Sequence, residues 1–224
     1  MSEAAPPNLE RRAYLLLLLC AALWGFAFVA QRQGAEHTGA YTFTAVRSLI
    51  GAVSLLPLVW FLDRRAGLDA DAARAAWRAT LWPGLFIGVV LFGGSIFQQL
   101  GVEETTAGKA AFVTGLYMVL VPLFGRFLGH RTGLATWGGV GLAVPGLFLL
   151  TWTGSGIGVG DLLVLIGTLF WAVHILAVGR ESRRVDPIRL SVAQFVVNGV
   201  LAALVALVAE PTPFTGLAEA ARAL

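Results

Sequence analysis

Charge is scarce in this sequence. Only 13% of its 224 residues are Asp, Glu, Lys or Arg, where a soluble domain carries about 25%. So little charge cannot keep a folded surface of this size wet, which excludes a water-soluble globular protein. Lysine is reduced to Lys109 alone. The net charge of +3 is scattered in short arginine clusters between apolar runs, which excludes a continuous nucleic-acid-binding face. Cys20 is the only cysteine, so no intramolecular disulfide can form. Walker loops, metal-ligand clusters and HExxH are missing, so the sequence offers no catalytic residue, metal site or cofactor site. Thr153-Gly154-Ser155-Gly156 lacks the first glycine that a serine-nucleophile turn requires.

What is present is apolar: 57% of residues are hydrophobic and the mean hydropathy is +0.78. A bilayer core of about 30 Å is crossed by about 20 apolar residues in a helix. Runs of that length occur at Ala13–Ala30, Tyr41–Leu62, Thr80–Leu100, Ala107–Phe127, Leu134–Trp152, Asp161–Val178 and Ile188–Val208. They predict an all-α membrane protein with about seven transmembrane helices. The runs lack the period-two alternation of a β-barrel. Met1–Arg12 has no small-residue cleavage site following it, so the first run reads as a retained helix.

Arginine placement predicts the orientation. With the N-terminus cytoplasmic, about 12 arginines fall on inside segments, and Arg32, Lys109 and Arg222 fall outside, as the positive-inside rule requires. The expected location is the cell membrane, with lipid as the surrounding partner.

The chain also contains a repeat. Leu23-Trp24-Gly25-Phe26-Ala27 in the first span is echoed by Phe170-Trp171-Ala172-Val173-His174 in the sixth. The offset of about 147 positions (171 minus 24) also sets Thr44 on Ser191 and Arg47 on Gln194. The repeat unit is five spans, an odd number, so the second copy is inverted, a common construction in secondary transporters. This divides the chain into a segment 1–12, a first five-helix repeat over 13–152 and an incomplete second repeat over 161–224.

Polar and aromatic residues inside spans are the candidate site, because each is costly in lipid. Arg47 lies about 9 Å below the end of its span, where it could anchor an anionic group, enter a gating pair or bond helix carbonyls. Trp24 and Trp171 fall near the midplane, away from the interface that tryptophan prefers, and could wall a cavity or simply pack. His174 shares the Trp171 face and could relay a proton. Gln98, Gln99 and Gln194 offer neutral hydrogen bonds, and Tyr117 shares a face with Thr114. Lys109, Glu103 and Glu104 read as a solvated cluster at the outer mouth. Gly84 with Gly88, Gly125 with Gly129, and Gly138, Gly139 and Gly141 are expected to bring helices close.

Leu23-Trp24-Gly25-Phe26-Ala27-Phe28, Phe43-x-x-x-Arg47, Gln98-Gln99-Leu100-Gly101, Thr105-Thr106-Ala107-Gly108, Leu120-Val121-Pro122-Leu123 and Phe170-Trp171-Ala172-Val173-His174 together resemble the EamA-type drug/metabolite transporter superfamily. The resemblance covers nearly the whole chain. It implies ten helices in two inverted halves that export or exchange small metabolites, and a mainly structural role for Arg47. About three further helices are then expected beyond Leu224, making this a C-terminally truncated member. Gly129-His130-Arg131 stands where many members carry an acid. The expected function is a secondary transporter of small organic metabolites working by alternating access. A non-transporting scaffold or inactive fragment is the alternative, and a homo-oligomer is compatible with either. A seven-helix photoreceptor fits less well, because Lys109 stands at a helix edge.

Overall fold

The computed structural model describes residues 7–129, 132–151 and 156–223. Its helices are α1 (Pro7–Ala35), α2 (Ala40–Ala66), α3 (Ala70–Glu104), α4 (Ala107–Gly115), α5 (Tyr117–Phe127), α6 (Leu134–Thr151), α7 (Val159–Glu181), α8 (Pro187–Ala209) and α9 (Leu217–Ala223). The chain is an all-α, multi-pass membrane protein. Among the described residues six segments are long and apolar enough to span: α1, α2, α3, α4 with α5, α7 and α8. The seventh expected span is α6, an uncharged helix that ends at Thr151. Its expected last residue, Trp152, and also His130, Arg131 and Thr153–Ser155 lie outside the described residues.

Polar side chains cap the starts of α3, α4 and α8. Asp69 accepts from the Ala72 amide at 2.8 Å, Thr106 from Lys109 at 3.2 Å and Asp186 from Arg189 at 2.7 Å. Each satisfies an amide that has no carbonyl one turn earlier. Most helices run past the apolar stretch that marks them, because helical hydrogen bonding continues into the interface beyond the hydrocarbon boundary. α3, for example, starts ten residues before the expected Thr80.

The fourth span departs from expectation. Ala107–Phe127 is two helices that meet at Leu116, not one continuous helix. Gly115 is a weak helix former, and Pro122 in the next turn and a half cannot donate to the carbonyl of Met118. Together they weaken the ladder on either side of the break.

The spans pack around α3. α3 packs against both α7 and α8, and α2 packs against α8. Glycine makes both approaches possible. A Cβ on Gly84 would lie 2.5 Å from Ala193 Cβ, and one on Gly88 2.5 Å from Val197 Cβ. Where α3 meets α7, a Cβ on Gly101 would sit 2.6 Å from the Gly160 carbonyl oxygen. Among the described residues the expected close packing at Gly138, Gly139 and Gly141 is not found: nothing lies within 4 Å of a Cβ at any of them. Gly129 serves another purpose, ending α5 with φ of 83°.

α1 is the least enclosed span. Leu15–Leu19 are all more than half exposed, a composition suited to lipid. α1 touches α3, α4 and the short α9.

Candidate functional site

A cavity of about 310 Å³ opens between α1, α2, α3, α4, α7 and α8. It lies at the small end of the range for ligand sites, about 300–1,000 Å³. Trp24 and Phe28 from α1, Leu91 from α3, Trp171 from α7 and Phe195 from α8 give it apolar walls. Gln31, Arg47, Ser48, Ser95, Gln98, Thr114 and Asn198 supply its polar groups. All of these are uncharged except Arg47.

Trp24 is the centre of an aromatic array. Its ring stands 6.1 Å from Tyr117 at 90° and 6.1 Å from Trp171 at 64°. Trp171 in turn meets the His174 ring at 5.5 Å and 84°. Edge-to-face pairs of this kind are favourable because the positive ring edge meets a negative face. His174 Nε2 is 2.6 Å from Gln194 Oε1. Of the sequence-predicted residues, Trp24, Arg47, Gln98, Thr114 and Trp171 line the cavity. Tyr117 backs Trp24, while His174 and Gln194 form a pair behind Trp171 and are not in the lining.

Two hydrogen-bonded groups join the walls. Gln98 Nε2 donates to Gln31 Oε1 at 3.0 Å, and Gln99 Nε2 donates to the Gln31 carbonyl at 3.3 Å, tying α3 to α1. Asn198 Nδ2 donates to Ser48 Oγ at 2.9 Å and weakly to Ser95 Oγ at 3.5 Å, tying α8 to α2 and α3. Asn198 Oδ1 is buried without a partner.

Gln31, Ser48, Ser95 and Asn198 were not anticipated from the sequence. Gln31 falls one residue beyond the expected end of the first span. Asn198, an amide in the middle of an apolar run, carried the signal that marks functional intramembrane residues. The serines carried little, since a hydroxyl in a transmembrane helix commonly bonds its own backbone.

Each end of the helix pair α2–α8 is fastened. At the arginine-rich end Arg189 of α8 bonds Asp63 of α2, lies 3.7 Å from Asp186 and stacks 5.7 Å from the Trp77 ring. At the opposite end the Glu210 carboxylate, just past α8, accepts from the Tyr41 amide at 2.8 Å and the Thr42 amide at 3.1 Å at the start of α2. It also accepts from the Thr42 hydroxyl, whose oxygen receives the Phe214 amide at 3.0 Å.

The expected loop cluster of Lys109 with Glu103 and Glu104 is corrected. Lys109 Nζ pairs with Asp161 at 2.6 Å and donates to the Gly156 carbonyl at 2.8 Å, joining α4 to α7. Asp161 also accepts from Thr105 at 2.7 Å. Lys109 reaches Asp161 because both stand in the first turn of adjacent helices.

Comparison with known proteins agrees with this architecture. The chain is 29% identical to an uncharacterised transporter of Archaeoglobus fulgidus over 80% of its own length and 53% of that protein's. It is 27% identical to an uncharacterised transporter of Synechocystis, covering 97% of this chain and 70% of the other. A third, the uncharacterised transporter YoaV of Bacillus subtilis, is 20% identical over 85% of this chain and 65% of its own. The chain therefore spans about half to two-thirds of the length of these relatives. No solved structure gives a significant match. The EamA-like transporter family matches residues 11–152, well over half of the sequence, and the chain belongs to that family.

Proposed function

We propose that this chain provides the cavity and both end-fastenings of a secondary carrier for small organic metabolites. It carries out no covalent chemistry. The carrier sits in the cell membrane with its N-terminus cytoplasmic, the orientation that the arginine distribution favours. The single observation that carries the reading is the cavity with a partly polar lining among the apolar spans. Polar groups in such a place are expensive, and a purely structural bundle would have closed the space with apolar side chains.

The fastenings support alternating access between inverted halves. An offset of about 147 positions carries Thr42 to Arg189 and Asp63 to Glu210. The Thr42–Glu210 contact at one end is thus the counterpart of the Arg189–Asp63 contact at the other. An inverted pair of repeats places equivalent contacts at opposite membrane faces. Releasing one while keeping the other opens the α2–α8 seam to one side only.

The test is counterflow. Proteoliposomes of the full-length protein, preloaded with a soluble metabolite extract, should accumulate labelled components of that extract above an empty-liposome control. Absence of protein-dependent exchange across the extract would overturn the carrier reading.

A further inference from the structure

We propose that the cavity takes a small organic monoanion, a carboxylate on a compact apolar body, with Arg47 receiving the carboxylate. The inference rests on the carrier reading for its purpose, and on the side chains around Arg47 for its chemistry.

Two other arginines show what a structural role looks like in this molecule. Arg32 donates to the Val102 and Glu103 carbonyls, both at 2.7 Å, and so caps the end of α3. Arg189 is paired with Asp63 and Asp186. Arg47 does neither. Among the described residues it has no hydrogen bond to protein and no acidic partner, and its one recorded contact is the face of Phe43, 5.6 Å from the ring centre. It lies seven residues into α2, about 10 Å along the helix, with its side chain in the cavity lining.

The neighbouring hydroxyls add donors, and Asn198 Oδ1 adds one buried acceptor without a partner among the described residues. Ser48 and Ser95 oxygens both accept from Asn198 Nδ2, and neither hydroxyl has an acceptor among the described residues. Each therefore retains a proton to donate. A guanidinium, the one charged group in the lining, together with two hydroxyl donors suits a ligand end that accepts. A carboxylate is such a group, and planar two-point binding to guanidinium is its strongest pairing. An ammonium would meet like charge. The remaining wall, Trp24, Phe28, Trp171 and Phe195, suits an apolar body, and the volume of about 310 Å³ keeps that body small. Under this proposal Arg47 receives ligand, where the resemblance implies a mainly structural role.

The probe is radiolabelled 3-phenylpropionate, bound to the purified full-length protein at pH 7. Its primary amide and 3-phenylpropylamine serve as shape-matched competitors. Unmodified protein should bind the acid saturably and prefer it over both competitors by about tenfold or more. Arg47→Gln should weaken acid binding by about tenfold to a hundredfold, while leaving the weak amide affinity unchanged. Arg47→Lys should retain part of the preference. No saturable binding of the acid, or equal competition by amide and amine, overturns the proposal, and neither result requires a variant that folds. Flux in proteoliposomes separates the two readings. Transport of neutral or cationic solutes without acid preference leaves the carrier and removes the anion site. Selective acid binding without any flux leaves the anion site and removes the carrier.

Discussion

Trp24 and Trp171 stand edge to face with ring centroids 6.1 Å apart, although about 147 positions separate them in the sequence. They come from α1 and α7, the helices that carry the two copies of the repeated motif, and both line the cavity. The pair is thus a wall and a joint between the two copies.

Removing either ring should weaken ligand binding, and the two losses should not add. An edge-to-face pair contributes about 0.5–1.5 kcal/mol beyond buried area. A double-mutant cycle of Trp24→Ala and Trp171→Ala on substrate affinity should give a coupling of that size, whereas Trp24→Phe should retain most of the affinity. A coupling near zero would mean that the rings act independently.

The two fastenings of the α2–α8 seam should have opposite effects on sidedness. In a Cys20→Ser background, Ser95→Cys places a thiol in the cavity for labelling by an impermeant maleimide. Asp63→Asn should raise labelling from the arginine-rich face, and Glu210→Gln from the opposite face. Weakening a charge-assisted hydrogen bond costs about 1–3 kcal/mol, enough to change the labelling rate several-fold. Identical changes from both faces for both variants would contradict the gate assignment.

Close helix approach at α3 makes a stability prediction with an internal control. Gly88→Val puts side-chain atoms where Val197 and the Gln194 carbonyl already lie, 2.5–3.0 Å from an added Cβ. Overpacking of this kind costs about 1–3 kcal/mol, so the melting temperature in detergent should fall. Gly139→Ala, inside α6 at a position with nothing within 4 Å, should not lower it and should raise it slightly, because alanine favours a helix over glycine.

The sequence made the fold class and the span order legible, because lipid imposes a single strong demand: about 20 apolar residues per crossing. That demand says nothing about where a helix breaks or how far it extends into the interface. Leu116 was missed for the first reason and Gln31 for the second. The glycine pair 84 and 88 could be read because small residues at that spacing form a groove. Gly138, Gly139 and Gly141 have the same composition without a helix in the groove, which composition cannot distinguish.

The site was half legible. Residue type and depth were enough to single out Trp24, Arg47, Gln98 and Trp171. Lys109 was assigned the wrong partner because its acid, Asp161, is more than fifty positions away, and only packing of α4 on α7 brings them together. Asn198, Ser48 and Ser95 form one group from three helices, and no local pattern connects them.

Transport through the cavity is open to direct measurement. The most direct measurement is counterflow in proteoliposomes of the full-length protein, comparing the unmodified form with Asn198→Leu, which fills the polar centre with an apolar side chain. Saturable exchange is expected for the unmodified protein and its loss in the variant, with both forms eluting as the same folded species in detergent. Undiminished exchange by the Asn198→Leu protein would contradict transport through the cavity.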